Sequence, residues 1–132
     1  EIEKRAGKTI PQIFLDDGEA AFRAQEAEII AELGRGCGKV ISTGGGAVLN
    51  ATNRQNLKMN SIVVRIMRPL EQLTTNGRPL SKDLATLRRM EEERAPLYDA
   101  CADLSVMNDC AMNNCVRKVL EGFDEALRDQ RA

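Results

Sequence analysis

Three arginines and one run of glycines are the residues here whose types and spacing suit chemistry. Arg23 follows Phe22 and stands one helical turn before Glu26, where the two side chains can pair. Gly44, Gly45 and Gly46 follow Thr43. Three consecutive residues without a β-carbon let backbone N–H groups come close to a ligand. Arg78 closes a polar turn, Thr74-Thr75-Asn76-Gly77, and is followed by Pro79-Leu80; Arg94 precedes Ala95-Pro96-Leu97-Tyr98. A guanidinium is a planar fork of donors that matches carboxylate and phosphate oxygens. Three of them beside a bare-backbone loop would suit a small anionic substrate and a phosphate donor. Taken singly, each has an ordinary alternative. Arg23 can neutralise Glu19 or Glu26 on a solvated face, and Arg94 can interact with its own helix C-terminus. Arg78 can be a plain loop arginine, and the glycines a flexible turn.

The rest of the composition narrows the field. The 132 residues contain no histidine, which excludes Ser-His and Cys-His nucleophilic catalysis within this sequence. Acid–base work would fall to Asp, Glu or Lys. Cys37, Cys101, Cys110 and Cys115 form no CxxC pair, so free thiols in a reducing, cytoplasmic setting are expected. The formal net charge of −1 gives no electrostatic case for nucleic acid or an anionic membrane, and no apolar run is long enough to span a bilayer. One domain is expected.

The elements that must position these residues alternate. A helix tail over Glu1–Ala6 stops at Gly7, and Thr9 can cap a short helix over Pro11–Leu15. Asp16 and Glu19 have capping-box spacing for a helix over Glu19–Leu33, with Phe22, Ile29, Ile30 and Leu33 on one stripe. Val40–Ser42 reads as a buried strand opening into the glycine loop, the place where α/β sheets bind ligands. Thr52 can cap a helix over Asn53–Lys58. Ser61–Ile66 and Leu104–Met107 read as further strands, and Pro69 starts a helical turn through Leu73. Asp83–Arg94 reads as a helix with Leu84, Leu87 and Met90 inward, broken by Pro96. Ala111–Arg131 reads as the last helix, with Val116, Val119, Leu120, Phe123 and Leu127 at helical spacing. Helices alternating with apolar strands argue for an α/β fold with a parallel sheet.

With these segments in order, the sequence resembles shikimate kinase. The resemblance rests on Gly7–Phe14, Asp17-Gly18-Glu19, Phe22-Arg23, Glu26, the run Ile41–Val48 (ISTGGGAV), Arg78-Pro79-Leu80 and Arg94–Tyr98 (RAPLY). It covers nearly the whole chain. It implies a P-loop kinase-like parallel sheet flanked by helices, and transfer of the ATP γ-phosphate to the 3-hydroxyl of shikimate in the chorismate pathway that leads to aromatic amino acids. Arg23 and Arg94 match the arginines that hold the shikimate carboxylate, and Gly44, Gly45 and Gly46 match the glycines lining that site. Arg78 matches the lid arginine that reaches the ATP phosphates. The resemblance divides residues 1–132 into a substrate-binding region over about 1–60, a lid over about 72–86 and remaining core over 87–132.

Two positions depart from the family pattern. No arginine stands near Leu73-Thr74, and Cys110–Asn113 is not basic, although both places match adenine contacts. A larger difference is that no GxxxxGK[ST] phosphate loop occurs. In the family that loop, its strand and helix, and a second strand ending in an acidic motif come first, and they supply the phosphate cradle and the Mg²⁺ ligands. No residue of this sequence is therefore assigned as catalytic or as a metal ligand. The family's first strand lies between the strands matched by Val40–Ser42 and Ile62–Ile66. Without it two buried edges lose their partners, at about 1–3 kcal/mol per unpaired group. The expectation is that residues outside these 132, or another chain such as a fused pathway enzyme, complete the domain, and that these residues alone are inactive. Direct pairing of Val40–Ser42 with Ile62–Ile66 would contradict it. The alternative is a non-catalytic kinase-like module that binds shikimate or a partner domain.

Overall fold

The computed structural model describes residues 1–72 and 83–132. Helix α1 (Ile2–Ala6) closes on Gly7, whose φ of 70° is the left-handed conformation that glycine reaches without strain. Helix α2 (Ile10–Asp16) begins with Thr9, whose Oγ1 accepts from the Gln12 amide at 3.3 Å. Helix α3 (Gly18–Gly34) buries Phe22, Glu26, Ile29 and Ile30. The capping box expected from Asp16 and Glu19 does not form: Asp17 occupies the N-cap and its side chain makes no capping bond. Its carboxylate lies 2.6 Å from Lys8 Nζ, which claims it instead.

Val40–Ser42 is not a strand. Val40 is fully exposed and Ile41 half-buried, and no ladder joins this stretch to another among the described residues. The β-propensity of Val and Ile reflects packing on a pleated surface, and no such surface lies beside them here. The glycines lead into a 3-10 turn over Gly45–Leu49, and helix α4 (Ala51–Lys58) follows. Its cap is Asn50 rather than Thr52: Asn50 Oδ1 accepts from the amides of Thr52 at 2.8 Å and Asn53 at 3.3 Å. Ile30 of α3, Ala47 of the turn and Leu57 of α4 form a small core against which Val63 packs. The α3–α4 contact is close because Gly34 has no side chain; a β-carbon there would lie 2.3 Å from the Asn56 carbonyl oxygen.

Strands β1 (Val64–Met67) and β2 (Leu104–Met107) form a two-stranded parallel sheet in the register Val64↔Leu104 to Met67↔Met107. No pairing of β1 with Val40–Ser42 is present among the described residues. A 3-10 turn over Leu70–Gln72 follows β1. Residues 73–82, including Arg78 and most of the expected lid, lie outside the described residues. Helix α5 (Leu84–Cys101) runs straight through Pro96, where a break was expected. Arg65 of β1 pairs with Glu91, at 2.8 Å, and with Asp99, so one guanidinium ties the helix to the sheet on both sides of the proline. Those ties offset the hydrogen bond that proline removes. Leu87 is buried, Met90 half-buried and Leu84 exposed, so the inward face begins one turn later than expected.

Helix α6 (Met112–Arg131) sits on β2 through Gly122, where a β-carbon would meet Leu104 Cδ1 at 2.8 Å. Cys115 is buried, and Val119 and Leu127 are half-buried. Val116, Leu120 and Phe123 are exposed, although they share the helical stripe read as core. The sheet is too narrow to cover the whole apolar face.

Candidate functional site

The glycine loop is wedged between α3 and α5, and each glycine faces a different side chain. A β-carbon on Gly44 would lie 3.4 Å from Glu26 Oε2. One on Gly45 would lie 3.0 Å from Tyr98 Oη and 3.4 Å from Arg94 Nη1. One on Gly46 would fall 2.3 Å from Arg23 Nη2 and 2.6 Å from its Cζ, inside any tolerable contact. Bare backbone leaves room for Arg23 at Gly46 and for the Tyr98 hydroxyl at Gly45.

Arg23 is set by its own helix. Its Nη1 donates to Glu26 Oε1 at 2.8 Å, its Nε lies 3.6 Å from Glu19 Oε1, and its Cζ stands 5.1 Å from the centre of the Phe22 ring. Phe22 in turn packs on Phe14, with ring centres 4.8 Å apart. The Glu26 side chain is only 4% exposed, so this pair is fixed rather than solvated. The reading of Arg23 as a surface neutraliser therefore holds only in part: it does pair with Glu26, but at the wall of a cleft. That cleft, of about 660 Å³, is lined by Arg23, Glu26, Gly46, Leu49, Asn50 and Asn53, with Glu19 and Ala20 at its edge.

Arg94 approaches the loop from α5. Pro96 does not end the helix there, so Arg94 does not sit at a helix C-terminus as its ordinary alternative required. The structure thus brings Arg23, Gly44, Gly45, Gly46 and Arg94 together. Arg78 lies outside the described residues.

The family model of shikimate kinase matches residues 1–124. The chain belongs to the shikimate kinase family. The shikimate kinase of Thiobacillus denitrificans is 45% identical over 114 residues, an alignment covering 80% of this chain and 62% of that protein. The shikimate kinase of Limosilactobacillus fermentum is 35% identical, covering 100% of this chain and 81% of that protein. Among solved structures, the Acinetobacter baumannii shikimate kinase in complex with shikimate superposes with a TM-score of 0.78 at 32% identity, covering 98% of this chain and 72% of that one. The Aquifex aeolicus shikimate kinase gives 0.78 at 32% identity, covering 93% and 76%. The P-loop kinase-like α/β fold expected for shikimate kinases is thereby shown. The chain spans about six-tenths of the length of the first two curated shikimate kinases it matches.

Sequence reasoning missed three residues that shape this site. Tyr98 Oη donates to the Gly45 carbonyl at 2.7 Å. Its spacing of four from Arg94 put both on one helix face, and that was the available signal. Asn53, 2% exposed, donates from Nδ2 to the Ala47 carbonyl at 3.1 Å and holds the far end of the loop. Nothing in the sequence separates it from an ordinary helix-start asparagine. Arg65 faces Tyr98 with its Cζ 5.2 Å from the ring centre. Among the described residues two buried polar atoms, Arg23 Nε and Asn53 Oδ1, have no hydrogen-bond partner, and both residues line the cleft.

Among the described residues no group of three or more acidic, cysteine or histidine side chains could hold a metal ion. No helix among them is long and apolar enough to cross a membrane.

Proposed function

We propose that this domain binds shikimate and serves its ATP-dependent phosphorylation at the 3-hydroxyl. The observation that carries this reading is the wedge of Gly44–Gly46 between Arg23 and Arg94. Two guanidinium groups facing one bare loop suit a single small carboxylate with neighbouring hydroxyls. Arg23 and Arg94 hold the carboxylate, and the loop gives the ring an approach free of side chains. Asn50 of the cleft wall offers its amide to the hydroxyl groups. The A. baumannii relative, solved in complex with shikimate, supports the choice of ligand.

Phosphoryl transfer requires mainly positioning and charge neutralisation. Arg78 is the residue assigned to the ATP phosphates. The sequence contains no phosphate loop, so the phosphate cradle and the Mg²⁺ ligands come from residues outside these 132, in the same polypeptide or a fused or partner one. A reducing, cytoplasmic setting suits the four free thiols. The second reading, a shikimate-binding module without turnover, is favoured by that same lack of a phosphate loop.

Calorimetry with shikimate tests the site, and an assay with Mg²⁺-ATP then separates the readings. Saturable shikimate binding, lost when its carboxylate is masked as a methyl ester, supports the site. Equal binding of acid and ester overturns it. Binding without phosphorylation by the intact polypeptide selects the module.

A further inference from the structure

The glycine loop is pinned by a side chain that donates to its backbone. Tyr98 Oη donates to the Gly45 carbonyl at 2.7 Å, across 53 positions of chain. The ring has a second contact. Arg65 covers it at 5.2 Å and is itself held by Glu91 and Asp99, one on each side of the tyrosine along α5. Arg94 lies one turn before Tyr98, and its Nη1 and the tyrosine hydroxyl face the same side of Gly45. The hydrogen bond therefore fixes the gap between the loop and the Arg94 guanidinium. It also fixes a direction. The Gly45–Gly46 peptide is trans, so holding the Gly45 carbonyl towards α5 turns the Gly46 N–H the other way. Gly46, whose missing β-carbon leaves room for Arg23, is itself part of the cleft lining.

We propose that Tyr98 is a positioning residue: through Gly45 it aims the Gly46 N–H into the cleft as a donor to an anionic ligand and sets the loop–Arg94 spacing. The inference rests on the reading of the cleft as a shikimate site. Misplacing a binding group by about 1 Å can cost on the order of 100-fold where geometry is strict. Loss of one orienting hydrogen bond should therefore be felt in binding well before it is felt in folding.

Tyr98 is the sole tyrosine, so uniform incorporation of 3-fluorotyrosine labels this position alone. Two measurements follow on the full chain. Shikimate is titrated into the ¹⁵N- and fluorotyrosine-labelled protein, and the affinity of Tyr98→Phe is compared in a double-mutant cycle with Arg94→Lys. The expected result is a ¹⁹F shift and a Gly46 amide shift on binding. Tyr98→Phe should bind roughly ten-fold more weakly, with a melting temperature close to the parent's and no Gly46 response, and its loss should not add to that of Arg94→Lys. A Tyr98→Phe protein that binds as the parent does, or whose loss simply adds to that of Arg94→Lys, overturns the proposal. If Tyr98→Phe does not fold, the labelled parent decides: a ¹⁹F signal and a Gly46 amide that ignore bound shikimate overturn it. A parent chain that binds no shikimate overturns the reading of the cleft, and the role of Tyr98 falls with it.

Discussion

Arg23 rests on the bare backbone of Gly46, with its guanidinium where a β-carbon would have to be. The clash is with the far end of a flexible side chain, so Gly46→Ala displaces Arg23 and leaves the loop intact. With the displaced guanidinium still bonded to Glu26, the expected outcome is shikimate binding weakened about ten-fold and stability within about 1 kcal/mol of the parent. Calorimetry and a thermal melt on one sample check both halves.

Gly34→Ala should do the opposite. Its β-carbon would meet the Asn56 backbone carbonyl at 2.3 Å, and the backbone cannot rotate aside. Helices α3 and α4 must separate, at a cost of about 1–3 kcal/mol or more. The denaturant midpoint falls, while shikimate affinity in the folded fraction changes little.

The Arg23–Glu26 pair predicts a partial rescue. Arg23→Ala leaves a carboxylate that is 4% exposed without its partner. Breaking a buried pair from one side costs about 3–5 kcal/mol, and the lower end applies because Arg23 is a quarter exposed. Arg23→Ala with Glu26→Ala should recover much of that stability and none of the shikimate binding. A double variant as unstable as the single one would show that the pair is not what Arg23 contributes to folding.

Helix α5 carries Arg94 and Tyr98, and its first turn depends on acid. Asp83 Oδ1 accepts from the Thr86 amide at 2.7 Å, and this holds its carboxyl below the usual aspartate range. A depressed folded pKa means the stabilisation is present above the unfolded value, about 3.9, and is lost as pH falls through the folded one. Asp83→Asn keeps an acceptor without the charge. It should flatten the acid limb of a pH–melting curve while leaving neutral-pH helicity nearly unchanged.

The four thiols should divide into two pairs. Cys37 and Cys110 are exposed, and Cys101 and Cys115 are buried. Burial also pushes the Cys101 thiol above its ordinary pKa, which keeps it protonated and slow to react. Alkylation at neutral pH followed by mass spectrometry should show two rapid additions and two that wait for unfolding. A raised folded pKa makes its contribution to stability full below the ordinary thiol value of about 8.5, with loss as pH rises further.

Much of the site was legible through the family resemblance, which singled out Arg23, Gly44–Gly46 and Arg94. Taken singly, each of these residues had an ordinary alternative. The segments that misled did so where neighbours decide the outcome. Val40-Ile41 has strand-forming side chains, but a strand is made by the chain beside it, and none lies there among the described residues. Pro96 ends most helices, yet Arg65 grips α5 at Glu91 and Asp99 and carries it through. The apolar stripe of α6 was read correctly as a stripe, but its depth of burial depends on how much sheet is available to cover it. Tyr98 and Asn53 were invisible as site residues because their partners are loop carbonyls, which every sequence has everywhere.

The loop works as a gauge with three teeth. Position 44 touches Glu26, position 45 touches Arg94 and Tyr98, and position 46 touches Arg23. Adding one methyl at a time along three neighbouring residues would probe two helices that are far apart in the chain. Each methyl disturbs one contact and leaves the other two as internal standards.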